Sequence, residues 1–351
     1  MIPLDSPLLI GNEKKYLNQC IDTNWISWQG EFVSKLENDI AAYCGTKHGI
    51  TVVNGTYALI IALQALGVGK GDEVIVPALT MSASTFAISA VGAVPIWCDT
   101  APNSLTLDVC DVQKKITNKT KAVMAVHLYG YAVDMPALLQ ITNPLNIPVI
   151  EDAAESFGAT VDGRPVGGWG TIACHSFHNK IIGSGEGGAI TVNDDQLAAR
   201  CFDLRTPPPD NAGGVVFALN NRMSNLAAAV ALAQLEQIDS LIAARRRVAN
   251  IYDECFANMN IFKERSNETC VYWRYQLLVD NNIQLVEKLK SQGIESRPIF
   301  TLMSKHPFYN NDILLPNSEY VSSKGIDLPS GPSLTEEQVR YVASTVRECL
   351  Q

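Results

Sequence analysis

Apolar positions along the chain change period several times, and each change marks an element. Tyr16, Leu17, Cys20 and Ile21 fall at helical spacing near the N-terminus, and Phe32, Leu36 and Ile40 repeat it over 31–43. Between them, residues 24–30 (NWISWQG) read as an ordered loop. Short apolar runs of strand type then recur at 49–53, 73–77, 93–98, 121–127 and 147–150. Helical patterns separate them: a nearly all-apolar helix beginning at Asn54-Gly55-Thr56, then 80–90 and 135–141. A helix that is apolar all round is a buried one. A strand opening at Thr171 and another at 189–192 precede a helix at 195–205, which stops before the triple proline 207–209. A Gly- and Pro-rich loop runs on to Phe217. Strands alternating with helices predict an α/β fold with a mostly parallel central sheet covered on both faces.

The pattern then changes. A long helical stretch from about Asn225 carries Arg245, Arg246 and Arg247, which read as a solvated face, and this helix reads as a link between domains. After it, 272–279 is strand-like, 283–292 helical, 294–299 strand-like and 335–350 helical, a smaller α+β domain. The expected division is a large domain over 1–224, and a linking helix with a small C-terminal domain over 225–351.

Composition narrows the class. The chain has 351 residues, 47% of them apolar, enough for a large core in two domains. No apolar run is as long as a membrane span, and the N-terminus has neither the basic start nor the apolar region of a signal peptide. Nine scattered cysteines without paired spacing indicate reduced thiols in a cytoplasmic protein. The five histidines are scattered too, so no metal site is expected. A net charge of −9 argues against a nucleic-acid partner.

Candidate chemistry centres on 171–190, TIACHSFHNKIIGSGEGGAI. Its one lysine, Lys180, stands between two apolar strands and beside the turn Gly183-Ser184-Gly185-Glu186-Gly187-Gly188. Lysines are rarely buried, and one that is buried is a candidate Schiff-base nucleophile. Earlier, a strand runs through Asn54-Gly55-Thr56 into a helix, which exposes backbone N–H groups and a hydroxyl at the positive end of a helix. Ligands gather at the carboxyl ends of strands in such sheets, and Thr56, Thr80, Asp152 and Lys180 all follow predicted strands. This set suits pyridoxal 5′-phosphate (PLP). Lys180 would take the aldehyde, and a buried carboxylate at Asp152 would keep the ring nitrogen protonated. Gly55, Thr56 and Ser176 would bind the phosphate. The released lysine would then act as the base that moves a proton between Cα and C4′.

The motifs NGTYAL, GDEVIVPALT, VHLYG, VIEDAAESFGA, SFHNK, GEGG and NRMSNLAAAVALAQLEQID, in this order, resemble the DegT/DnrJ/EryC1/StrS family of sugar aminotransferases. The resemblance extends to GIESRPIF and GIDLPSGPSLT near the C-terminus. It implies the fold-type-I, aspartate aminotransferase-like architecture, PLP as cofactor, L-glutamate as amino donor, and a homodimer with shared active sites. By position it assigns Lys180 to the internal aldimine, Asp152 to the pyridine nitrogen, and Gly55, Thr56 and Ser176 to the phosphate. It places Glu155 near the cofactor 3′-oxygen and Asn220 at the phosphate of the neighbouring subunit's cofactor. Arg222 shares that last motif without an assigned role. Three positions depart from the family pattern: only His178 and Asn179 separate Ser-Phe from Lys180, one residue fewer than usual; Met81 replaces an aromatic that stacks on the ring; and Ala218-Leu219 replaces Gly-Tyr.

Within the family, TNWISWQG, EDAAES, SRPIF and IDLPSGP are most similar to the branch that aminates C4 of GDP-4-keto-6-deoxy-D-mannose to give GDP-perosamine, a sugar of O-antigen or surface-glycan type. The alternatives are a viosamine-type enzyme acting on dTDP- or UDP-4-keto-6-deoxy-D-glucose, a PLP-dependent sugar dehydratase, and a regulatory relative without turnover. Dehydratase relatives carry histidine in place of the lysine, so Lys180 speaks against that branch. Sugar-pocket candidates by position are Trp25, Ser27, Arg297 and His306.

Overall fold

The computed structural model describes residues 1–206 and 218–350; the predicted loop from Pro207 to Phe217 lies outside the described residues. Helices α1 (Glu13–Asp22) and α2 (Glu31–Cys44) flank the tryptophan-bearing loop. Strand β1 (His48–Val52) leads through Asn54 into α3 (Gly55–Ala65). Asn54 is extended and its side chain accepts from Tyr57 N at 3.0 Å, which starts the helix within the predicted Asn54-Gly55-Thr56 junction. The alternation continues through β2 (Glu73–Pro77), α4 (Ser82–Ala90), β3 (Val94–Cys98), α5 (Val109–Lys115), β4 (Thr120–Val126), α6 (Met135–Thr142) and β5 (Val149–Asp152). Two short strands, β6 (Thr160–Val161) and β7 (Arg164–Pro165), precede β8 (Ile172–Ser176), β9 (Gly188–Val192) and α7 (Asp195–Arg205).

The central sheet has seven strands in the order β1-β9-β8-β5-β4-β2-β3. All its pairings are parallel except the two made by β9, which is antiparallel to both β8 and β1. Connection length explains this. A parallel neighbour needs a crossover, usually helical, of about a dozen residues or more. The segment between β8 and β9 forms no helix and turns straight back. Strand β1, antiparallel to β9, therefore points the same way as β8, and the carboxyl ends of β1, β2, β5 and β8 share one edge. Side-chain alternation splits the core across the sheet. Val74, Val76, Met124 and Val126 pack on one face, and Ile75, Val123 and Ala125 on the other.

Beyond Asn225 the single helical stretch of the sequence is two helices, α8 (Asn225–Leu235) and α9 (Ile238–Cys255), meeting at 64°. No proline or glycine sits at the break. The environment changes there instead: α8 is largely buried, packed on α1 and α2, whereas α9 is amphipathic and packs on the C-terminal helix. Strand β10 (Glu268–Thr269) joins β6 and β7 in a small sheet. Then come β11 (Tyr275–Leu278), α10 (Asn282–Ser291), β12 (Arg297–Pro298), α11 (Pro316–Lys324), β13 (Gly325–Leu328) and α12 (Glu336–Leu350). They form an antiparallel sheet, β11-β13-β12, backed by helices.

Helices α5 and α11 and strand β13 were not foreseen: they are short, and α11 is mostly polar. The strand expected over 294–299 shrinks to β12. The larger correction concerns the arginine triplet on α9. Arg245 is not solvated but buried at 2% exposure, Arg246 pairs with Glu264, and Arg247 donates to the Leu334 carbonyl at 2.8 Å. Among the described residues no single helix is long and apolar enough to cross a membrane.

Candidate active site

At the shared strand edge the sheet opens into a cavity of about 280 Å3. Gly55 and Thr56 reach it from the first turn of α3, Met81 from the N-cap of α4, Asp152 from the end of β5 with Glu155 just beyond, and Ser176, His178 and Lys180 from the end of β8. The topology thus brings together stretches more than a hundred residues apart, at the edge where an open α/β sheet collects its ligands.

Lys180 is buried, and its Nζ lies 3.2 Å from Glu155 Oε1. An unpaired ammonium in this position would be expensive. Besides Glu155, the amine has the Trp273 ring, whose centroid is 4.6 Å away, and Met81 Sδ at 3.9 Å. Glu155 is held in turn, its Oε2 accepting from Tyr129 N at 2.9 Å. Tyr129 sits at φ 57, a left-handed conformation unusual for an aromatic residue. Its ring stacks between Phe300 at 5.1 Å and Trp273 at 5.9 Å, and its hydroxyl accepts from Phe300 N at 3.1 Å. The link from Ser176 to Lys180 passes through Asn179, which turns left-handed at φ 37. His178 is left exposed at the cavity mouth, 3.9 Å from Glu186.

Asp152 closes the other side. Its Oδ2 accepts from Ser84 Oγ at 2.7 Å and its Oδ1 from Ala154 N at 3.2 Å. With the Ser84 proton committed to Asp152, Thr80 Oγ1 must be the donor across its 2.9 Å contact with Ser84 Oγ. Burial pushes the Asp152 carboxyl up from its ordinary value, against the Ser84 hydrogen bond and the charge of Lys180. One residue earlier, Glu151 faces the opposite side of the sheet. It accepts from Gly170 N at 2.6 Å, Gly167 N and Trp169 N at 2.8 Å, and His127 Nε2 at 3.1 Å. His127 Nδ1 accepts from Val133 N at 3.0 Å, so the imidazole proton is on Nε2. Burial raises the Glu151 carboxyl, but the hydrogen bonds from His127 and the Gly170 and Gly167 amides outweigh it, and its pKa falls below the ordinary range.

The other sequence candidates lie outside the cavity of this single chain. Asn220 is exposed and accepts from Arg222 Nε at 2.8 Å. Trp25 borders a separate depression with Gln29, Phe32 and Asn225, and the Ser27 carbonyl accepts from Asn225 N at 3.2 Å. Arg297 Nε donates to Asp327 Oδ2 at 3.0 Å. His306 borders an open groove with Lys305 and Tyr320 and meets the Phe86 ring edge-on at 5.3 Å. Conversely, sequence reasoning passed over Ser84, His127, Tyr129 and Trp273. Ser84 had a signal, since it lies one helical turn after Thr80. Trp273 had none, because it arrives from 93 residues beyond Lys180 in the chain.

An amine, a buried carboxylate and a helix N-terminus, arranged on one edge of this sheet, define the fold-type-I class of PLP-dependent transferases. Solved structures agree. S. venezuelae DesV, in complex with a ketimine intermediate, superposes with a TM-score of 0.92 at 31% identity, over 97% of this chain and 94% of that one. The aminotransferase TlmJ from Streptoalloteichus hindustanus gives 0.94 at 26% identity, over 100% and 99%. The chain belongs to the DegT/DnrJ/EryC1/StrS aminotransferase family, whose sequence profile matches residues 7–347, and it is a PLP-dependent sugar aminotransferase. It is 39% identical to the GDP-perosamine synthase of Vibrio cholerae and 40% identical to that of Escherichia coli O157:H7, in each case over 99% of this chain and 98% of the other.

The residues present fit the cofactor. A Cβ on Gly55 would lie 2.7 Å from Ser176 Cβ, so the first turn of α3 offers backbone amides where no side chain fits. Such a turn is a ready anion site. The Asp152 carboxylate and the Lys180 amine line the same cavity.

Proposed function

We propose that this chain transfers an amino group from L-glutamate to C4 of a nucleotide-linked 4-keto-6-deoxyhexose, with GDP-4-keto-6-deoxy-D-mannose as substrate and GDP-perosamine as product. The similarity to two GDP-perosamine synthases, at 39% and 40% identity over nearly the whole chain, carries the reading. When bound, PLP supplies an electron sink for the exchange of an amino group between donor and acceptor. The Gly55 and Thr56 amides, with the Thr56 and Ser176 hydroxyls, hold its phosphate. Asp152 holds a proton on the ring nitrogen, and Ser84 supports Asp152 in its charged form. Met81 and Glu155 line the same cavity, where they would contact the cofactor ring and its 3′-oxygen. Lys180 is the attachment point and, once free, the base: its Nζ takes and returns the substrate proton, with Glu155 steadying the ammonium.

The same reading makes the enzyme a cytoplasmic homodimer in which Asn220 serves the neighbouring subunit's cofactor. The exposure of Asn220 and the nine free cysteines support it. Trp25, Ser27, Arg297 and His306 remain its sugar-side candidates, and 1–224 and 225–351 its two domains.

The test incubates the protein with PLP, L-glutamate and 4-keto-6-deoxy sugars linked to GDP, dTDP or UDP, with mass detection of the amino sugar. Amination of the GDP-mannose derivative, and loss of both product and visible cofactor absorbance in Lys180→Ala, are expected. Amination confined to the dTDP or UDP sugars would overturn the substrate assignment. A visible band that survives in Lys180→Ala would overturn the role of the lysine.

A further inference from the structure

Helix α9 sends one guanidinium into the interior. Arg245 is 2% exposed. Its Nη1 donates to the carbonyls of Trp273 at 3.0 Å and Ser330 at 3.3 Å. Its Nη2 donates to the Lys180 carbonyl at 2.9 Å and faces both oxygens of the buried Asp5 carboxylate, at 3.2 and 3.4 Å. Each terminal nitrogen carries two N–H groups, so all four are engaged, while the buried Nε has no partner. Asp5 supplies the opposite charge that a buried guanidinium requires.

Two of these partners belong to the candidate site. Among the described residues, no other hydrogen bond reaches the main chain between His178 and Gly183. That segment leaves β8 through the left-handed Asn179, and only its flanks are tied, by Phe177 N on Gly187 O at 2.9 Å and Ser184 N on Phe177 O at 2.8 Å. Trp273 is the residue whose ring lies 4.6 Å from Lys180 Nζ. One side chain therefore fixes both the backbone that carries the amine and the backbone that carries the ring beside it. The other two partners, Asp5 near the N-terminus and Ser330 after β13, tie this pair to two further parts of the chain.

We propose that Arg245 is a positioning residue: it sets the Lys180 segment against Trp273, and so holds the amine in register with Glu155 and Asp152. The inference rests on the proposed role of Lys180. Its loss is expected to free the lysine segment while leaving the cavity walls standing, because Asp152, Ser84, Gly55 and Ser176 are held by the central sheet and α3 and α4.

The experiment compares Arg245→Met and Arg245→Lys with Arg246→Met, a neighbour on α9 whose partners are Glu264 and the Cys270 carbonyl. Each holoenzyme is assayed for kcat and KM, and its visible band is titrated against pH. Each apoprotein is checked by circular dichroism and melting, and the rate at which an amine-specific reagent labels Lys180 is followed by peptide mass. A folded Arg245→Met with kcat down by about tenfold or more, KM little changed, a displaced pH midpoint and faster Lys180 labelling is expected. Arg245→Lys should fall between it and the wild type, since one ammonium can replace only part of the fork. Arg246→Met should keep wild-type values in everything but melting. Wild-type kcat, pH midpoint and labelling in Arg245→Met, or equal changes in Arg246→Met, would overturn the inference. If Arg245→Met does not fold, Arg245→Lys decides it by the same readouts. A failure of the Lys180 assignment itself shows separately, as a visible band that persists in Lys180→Ala.

Discussion

Replacing Ser84 by alanine removes one hydroxyl and isolates what keeps Asp152 charged. In the structure the Asp152 carboxyl is already pushed up by burial, and the Ser84 hydrogen bond at 2.7 Å is the largest influence opposing this. A hydrogen bond to a charged group contributes about 1.5–3 kcal/mol. The lost burial of one hydroxyl and the stranded Thr80 donor affect apoprotein and holoenzyme alike, so they cancel from cofactor affinity. The carboxylate–ring interaction does not cancel, because it exists only with cofactor bound. The Ser84 hydrogen bond itself is also present without cofactor, so Ser84→Ala should weaken PLP binding only through the proton Asp152 must lose to meet the ring: by up to about 10- to 100-fold at the acid end, and little at high pH. The direction with pH is fixed too: the further Asp152 rises, the more of it is protonated at the acid end, so the loss should grow as pH falls. Apoprotein titrated with PLP, followed by absorbance and tryptophan fluorescence at several pH values, measures both. Affinity within about twofold of wild type at every pH would refute the reasoning, since so small a change is below the weakest estimate for the bond.

Two other substitutions follow from the same geometry. Glu151→Gln offers one oxygen and one NH2 to four N–H donors, so two donors must face an amide nitrogen. At about 1–3 kcal/mol per stranded donor the cost is about 4 kcal/mol, seen as a melting point lower by about 5 °C. Because the folded pKa of Glu151 is depressed, its stabilisation is complete above the ordinary glutamate value of 4.5 and is lost as pH falls through the folded value. The gap between wild type and variant should thus be widest near neutrality and close in acid; a gap that widens in acid would contradict the assignment. Gly55→Ala sets a Cβ 2.7 Å from Ser176 Cβ, so α3 or Ser176 must shift. PLP and inorganic phosphate should both bind at least several-fold more weakly, and unchanged affinity for both would remove the first turn of α3 from the phosphate site.

The sequence alone determined the order and kind of most large-sheet elements, because apolar period is a local property and survives without knowledge of contacts. It also picked out Lys180, Asp152, Gly55-Thr56 and Ser176, which the structure brings to one cavity, because strand ends in such a sheet converge wherever the helices are placed. It did not reveal that β9 runs against its neighbours, although the missing crossover helix was visible in the length of the connection. Only the tertiary structure decided the rest. The chain Thr80–Ser84–Asp152, the seating of Glu155 on the Tyr129 amide and the Trp273 ring beside the amine join residues whose separations in sequence bear no relation to their distances in space. Arg245 shows the limit most clearly. Within a run of three arginines, charge patterning assigns all three to solvent, yet one points inward, because five acceptor atoms from four distant segments meet there and take up the four terminal N–H groups of a guanidinium that water would otherwise have to solvate.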